Sequence, residues 1–206
     1  MPAALPVPGF RLLPDHLDPA AQARLLAAVE AVAAEAPFTR YSMPGTGRPF
    51  SIDMTNAGRL GWVADRSGYR YADRHPATGR PFPPIPDMLL ELWDALTGYP
   101  APPECCLVNL YRGPAAKLGL HRDEDEEAMD APILNLSLGD SARFRLGGPR
   151  RTDPTRSFVV ASGAAMVFAG PARAAYHGVD RILPGTSRLI PGGGRINLTL
   201  RRVTRP

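Results

Sequence analysis

Lysine is almost missing from this chain: Lys117 is the only one among 206 residues, so arginine carries nearly all of the 24 basic side chains. Cysteine is equally scarce, with only Cys105 and Cys106, adjacent in sequence. A bridge between neighbours would close a strained ring, which excludes a disulfide framework. The pair is expected to act as small hydrophobes in a strand, one thiol facing inward and one outward. No run of 18 or more apolar residues occurs, which argues against a transmembrane helix. The opening residues Met1–Pro8 lack the charged start and long apolar stretch of a secretory signal. These absences predict a soluble, cytoplasmic protein with no membrane partner.

Proline and glycine are plentiful instead, at 24 and 20 residues. A helical bundle would not tolerate them, and many short elements joined by turns would. A chain of 206 residues suits one domain. The predicted division within that domain is 1–100, with helices and a lid, and 101–206, with a β-rich core. The net charge of +4 hides an uneven distribution, since residues 141–206 carry twelve arginines against only Asp153 and Asp180. That stripe suits a phosphate backbone, although a solvated arginine-rich face would look the same.

Two helices are legible. Residues 18–36 begin with Asp18 as N-cap and Pro19 at the first helical position, then place Leu25, Leu26, Val29 and Val32 on one face up to Pro37. A second helix spans Asp87 to Thr97, with Leu89, Leu90, Leu92, Trp93 and Leu96 as its buried side and Gly98 as its stop. Residues 38–84 read as loops and short hairpins. From Cys106 the texture changes to short strands, CLVNLY, PILNLSLG, RFRLG, SFVVAS, AAMVFAG and RINLTLR, separated by turn residues. This pattern predicts a mainly β (α+β) fold built on a sandwich or barrel.

In the last strand Ile196, Leu198 and Leu200 share one face, and Arg195, Asn197, Thr199 and Arg201 share the other. A solvated outer face would fit that alternation equally well. The same polar habit in Asn109 and Tyr111, and in Asn135 and Ser137, favours a common polar cavity instead. Of four histidines, two open an H-x-D triplet. At His16–Asp18 the carboxylate is better used as the helix cap. At His121–Asp123 it is free to join its histidine on one metal ion, because residues i and i+2 of an extended segment project the same way. His177 is the only histidine downstream. Two histidines and one carboxylate leave three coordination positions open, the arrangement of non-haem Fe(II) oxygenases rather than of closed zinc sites. Arg195 lies 18 residues beyond His177, where a cation could pair with the far carboxylate of an iron-chelating dicarboxylate such as 2-oxoglutarate.

The segments CLVNLYRGPAAKLGLHRDEDE, APILNLSLG, FRLGGPRRTDP, YHGV and RINLTLR, with MTNAGRLGW and GYRY upstream, closely resemble the bacterial AlkB family of oxidative DNA and RNA dealkylases. The resemblance covers roughly residues 35–202. It implies a double-stranded β-helix (jelly-roll) core with N-terminal helices and a nucleotide-recognition lid, using Fe(II), 2-oxoglutarate and O2. It implies that His121, Asp123 and His177 hold iron, and that Asn109, Tyr111, Arg195, Asn197 and Arg201 hold 2-oxoglutarate. Trp62, Tyr69 and Tyr71 would belong to the lid that encloses a base, Asp125 would contact its exocyclic amine, and Arg151 a phosphate. The implied substrate is alkylated single- or double-stranded DNA, or RNA, with 1-methyladenine and 3-methylcytosine as lesions and a monomer as the working unit. Two departures stand out: the family's lysine after the metal aspartate is Glu124 here, and the loop Met43–Gly47 matches only loosely. On sequence alone, the same chemistry on tRNA, a protein or a small molecule stays open, as does a non-catalytic metal-containing β-barrel.

Overall fold

A computed structural model describes residues 7–206. Its elements run β1 (Phe10–Leu13), α1 (Pro19–Glu35), β2 (Asp53–Ala57), β3 (Gly61–Asp65), β4 (Gly68–Ala72), α2 (Asp87–Thr97), β5 (Cys105–Tyr111) and β6 (Leu118–His121). There follow β7 (Ile133–Gly139), β8 (Ser141–Leu146), β9 (Arg156–Val160), β10 (Ala165–Phe168), a 3-10 turn (Gly170–Ala174), β11 (His177–Leu183) and β12 (Arg195–Arg201).

The start of α1 and the stop of α2 fall where their local chemistry dictates. The Asp18 carboxylate accepts from the Ala21 amide at 2.6 Å, and Pro19 opens the helix without wasting a donor. Leu25, Val29 and Val32 are buried, while Leu26 is only partly so. The second helix ends at Gly98, whose φ of 60° is left-handed and is the conformation a helix stop needs.

The strands form a six-stranded sheet in the order β1-β10-β7-β12-β5-β2 and a four-stranded sheet in the order β6-β11-β8-β9, with β3 and β4 as a separate hairpin. Neighbours pair antiparallel throughout both large sheets. This is the jelly roll that the family resemblance implies, and the sandwich or barrel expected from the strand pattern. One apolar core lies between the two sheets and includes Leu107, Ile133, Phe144, Met166 and Phe168. A second lies between the large sheet and the helices, where Val108, Leu136 and Leu198 meet Leu25, Val29 and Trp93.

The central strands β5, β7 and β12 are consequently buried along their whole length on both faces. The cysteines are buried small hydrophobes, as expected, and point to opposite faces of β5. Cys105 joins the inner core and Cys106 the helix-side core, so neither thiol faces water. Burial pushes the Cys105 thiol up to about 12, which keeps it protonated and unreactive. The same two-sided burial means that the polar row of β12 cannot be a solvated face. It must line something inside.

Candidate metal and cosubstrate site

Pairing in register places the polar side chains in rungs across the inner face of the large sheet. Asn197 sits between Asn109 and Ser137, and Thr199 between Leu107 and Asn135. Thr199 donates to Asn135 Oδ1 at 2.9 Å, and Asn197 Nδ2 donates to the Leu136 carbonyl at 3.1 Å. These rungs floor a cavity of about 670 Å³, whose opposite wall is supplied by β6, β8 and β11.

At one side of the cavity β6 and β11 pair His121 directly against His177. Gly178 lets them come together: a Cβ there would lie 2.7 Å from the Leu118 carbonyl oxygen and 2.9 Å from that of Gly119. His121 Nε2 is 3.6 Å from Asp123 Oδ1 and His177 Nε2 is 3.9 Å from Oδ2, with all three donor atoms within 4.8 Å of one another. Each imidazole has its Nδ1 on a backbone carbonyl, Gly119 at 2.9 Å and Ala175 at 3.0 Å. Those partners assign the proton to Nδ1 and leave both Nε2 lone pairs facing the carboxylate. Burial, with His121 adding to it, lowers His177 to about 4, so that the imidazole is neutral near pH 7. Burial alone would raise Asp123, but Arg201, His177, His121 and Arg173 together outweigh it and hold the carboxyl well below the usual range. The set is therefore two Nε2 atoms, that of His177 neutral, and one anionic oxygen facing a common point, the donor chemistry of an open Fe(II) site.

Beyond the triad lies a surplus of positive charge. Arg201 Nη2 is 3.0 Å from Asp123 Oδ1, yet its Nη1 has no partner, and Asn109 Oδ1 is likewise unsatisfied. Arg195 is 1% exposed and has only neutral acceptors: Ser137 Oγ at 2.6 Å, the Val160 carbonyl at 3.1 Å and the Asp140 carbonyl at 3.2 Å. Its Nε is unpartnered, and no carboxylate pairs with it among the described residues. Burial lowers it to about 10, still charged near neutrality. A buried guanidinium without a counter-ion is costly, and the carboxylate of a dianion would offset that cost. These orphaned groups fit 2-oxoglutarate.

Eleven of the thirteen residues singled out from the sequence line this one cavity: His121, Asp123, His177, Asn109, Tyr111, Asn197, Arg201, Trp62, Tyr69, Asp125 and Arg151. Arg195 and Tyr71 do not. Arg195 is turned toward Ser137 beside Tyr111, its register partner, and the Tyr71 hydroxyl donates to Glu126 beneath the lid. At the mouth Trp62 stacks on Tyr69, with centroids 5.2 Å apart and planes at 26°, and the indole N–H donates to Asp125 Oδ2 at 2.8 Å. Arg151 donates to the Leu120 carbonyl at 2.8 Å and, with Arg122, flanks the Tyr176 ring. Glu124 pairs with Arg122 at the rim, which partly neutralises the reversed charge.

Sequence reasoning missed Glu126 and Arg173. This buried pair also supports Asp123, whose carbonyl accepts from Arg173 Nη1 at 2.6 Å. Glu126 sits inside the acidic run 123–127, which reads as solvated, and nothing local marks Arg173. Lys117 and Tyr176 at the mouth were missed as well.

Fold and site together define an oxygenase, and the model of the 2OG-Fe(II) oxygenase superfamily matches residues 9–201. An alpha-ketoglutarate-dependent dioxygenase AlkB homolog of Caulobacter vibrioides is 57% identical over 95% of this chain and 88% of its own length. The AlkB of Salmonella typhimurium is 40% identical over 95% of this chain and 90% of its own. The solved structure of OsALKBH1 superposes with a TM-score of 0.79 at 28% identity, covering 95% of this chain and 98% of that one. The chain belongs to the AlkB family of Fe(II)- and 2-oxoglutarate-dependent dioxygenases.

Proposed function

We propose that this enzyme oxidatively demethylates N-alkylated bases, 1-methyladenine and 3-methylcytosine among them, in DNA or RNA. The observation that carries the reading is the Trp62–Tyr69 stack at the mouth of the His121–Asp123–His177 cavity, with Asp125 bonded to the indole. An aromatic face beside a carboxylate suits a base drawn out of its stack: the ring supplies the surface and the carboxylate an acceptor for the exocyclic amine.

In this reading His121, Asp123 and His177 hold Fe(II) through Nε2, a carboxylate oxygen and Nε2. Asn109, Tyr111, Asn197, Arg195 and Arg201 bind 2-oxoglutarate, with Arg195 the partner of its distal carboxylate. When bound, the iron and cosubstrate would supply, with O2 as oxidant, the hydroxylation of the N-methyl group, one oxygen atom going to succinate as CO2 is lost and the other to the methyl that leaves as formaldehyde. The chain contributes orientation, exclusion of water by the lid, and charge. Arg201 keeps Asp123 ionised, and Trp62 with Asp125 sets the base so that its methyl group faces the triad. Arg151 holds a backbone phosphate. The working unit is a monomer acting on single- or double-stranded nucleic acid.

The test is an assay on methylated single-stranded DNA, duplex DNA and RNA oligonucleotides with Fe(II) and 2-oxoglutarate, reading formaldehyde and restored base. Formaldehyde in step with succinate is expected on at least one of them. Succinate formation that no methylated oligonucleotide stimulates would move the substrate to a protein or a small molecule.

A further inference from the structure

The outer face of the four-stranded sheet carries an arrangement that folding alone disfavours. On adjacent antiparallel strands Arg143 of β8 and Arg181 of β11 are direct register partners, so both guanidinium groups leave the same face side by side. Like charges in that position repel, and sheets ordinarily place an opposite charge or a neutral residue there. Both arginines are exposed, and among the described residues neither side chain makes a hydrogen bond or an ion pair. The contrast one rung away is instructive: Arg145 is neutralised by Asp180 at 2.6 Å. Arg143 and Arg181 border a shallow depression of about 160 Å³, completed by Ser157, Phe158, Val159 and Leu183. Val159, the partner of Arg143 on its other side, is 58% exposed, so the depression has an apolar floor next to two unpaired cations.

The position of the pair matters as much as its charge. Arg181 lies four residues beyond His177 on the same strand, about 13 Å at strand rise. The outward row of β8 runs from Arg143 through Arg145 towards the 147–151 turn, whose Arg151 stands at the cavity mouth. Arg143 and Arg181 are thus the unpaired cations of a row that ends near the mouth, with Arg145 between them and the turn held by Asp180. Because His177 faces the cavity and Arg181 the opposite face of the same sheet, a backbone joining them passes round the sheet edge, a path longer than that separation and so of roughly four nucleotides or more at 3.4 Å per step.

We propose that Arg143 and Arg181 form a second contact for the phosphate backbone, gripping the nucleic acid several nucleotides from the base that enters the cavity. Phosphodiester oxygens bridging the two guanidinium groups would relieve their repulsion, and the depression would take the sugar edge. This inference rests on the nucleic-acid reading of the active site, and it adds a length requirement to it. Short substrates would reach only Arg151, and longer ones both contacts.

The experiment compares wild type with Arg143→Gln/Arg181→Gln. It measures binding to unmethylated oligonucleotides of three and twenty residues across a salt series, together with demethylation of methylated strands of the same two lengths. Two lost phosphate contacts should flatten the log-affinity against log-salt slope for the twenty-residue strand by about 1.4 on single strands and about 1.8 on duplex. Binding and turnover of the three-residue strand should not change. Equal slopes for the two proteins on the long strand would overturn the proposal, as would an equal loss on both lengths, because either result removes the distal contact. Absence of wild-type turnover on every methylated strand would overturn the active-site reading instead, while the binding series would still decide the arginine pair. A folded double variant is checked by an unchanged melting temperature. If the Gln pair unfolds, the Arg143→Lys/Arg181→Lys variant, which keeps the charge and loses the planar fork, replaces it, and an unaltered salt slope with weakened long-strand affinity is then the supporting result.

Discussion

At the scale of single residues the site depends on burying positive charge in excess of its internal counter-ions. Arg195 is the sharpest case, with three neutral acceptors, one idle nitrogen and a position behind Tyr111. An ammonium group keeps the charge but loses the fork and the contacts to Ser137 and Val160. Arg195→Lys should therefore weaken 2-oxoglutarate binding about tenfold or more, about 1.4 kcal/mol, while affinity for nucleic acid stays unchanged. Calorimetric titration of 2-oxoglutarate into the Mn(II)-loaded protein, set beside oligonucleotide binding, measures both, and an unchanged cosubstrate affinity would mean that the anion sits elsewhere. His177 makes the complementary point. Its low basicity comes from burial, so the imidazole is ready to bind a metal without first losing a proton.

At the scale of elements, the proposed function has the β3–β4 hairpin and the 147–151 turn meet the nucleic acid by different physics. Stacking on Trp62 is worth roughly 1 to 3 kcal/mol per base and depends little on salt, whereas a phosphate contact from Arg151 releases counter-ions. Trp62→Ala is expected to slow turnover of methylated oligonucleotides at every salt concentration. Arg151→Ala should do so mainly at low salt, lowering the slope by about one. Both should retain basal 2-oxoglutarate turnover, and two variants that process methylated strands normally would refute the lid assignment. How far such elements were legible depended on their length and flanks. The strands β5, β7 and β12 announced themselves because seven residues rich in apolar side chains, bounded by turn residues, outweigh local noise. The half-buried, four-residue β1 and β6 lack the continuous apolar run that marks the equally short β10, and β11 is interrupted by a bulge before Arg181. The metal triad was readable because H-x-D is a local motif. The Glu126–Arg173 support was not, since its partners lie 47 residues apart and only folding joins them. The alternation of β12 likewise separated its two faces, but showing that both are inside took the second core.

At the scale of the whole molecule, binding in the cavity should stabilise the fold. A ligand held at about 100 times its Kd adds about 2.7 kcal/mol, and for a domain of this size that raises Tm by about 5 to 10 °C. Mn(II) with 2-oxoglutarate is expected to produce such a shift in a thermal melt, and His121→Ala to abolish the metal-dependent part. The reason reaches beyond the site, because β5, β7 and β12 present their polar rungs to the cavity and their apolar rungs to the helices. A change on the helix side, such as Leu198→Ala, removes nothing that touches the cosubstrate and yet loosens the strand that holds Asn197 and Thr199. Its damage would be conditional: abundant metabolite would hold the weakened chain together, and scarcity would let it fail. A lesion in the scaffold would then look, in a growing cell, like a nutritional defect.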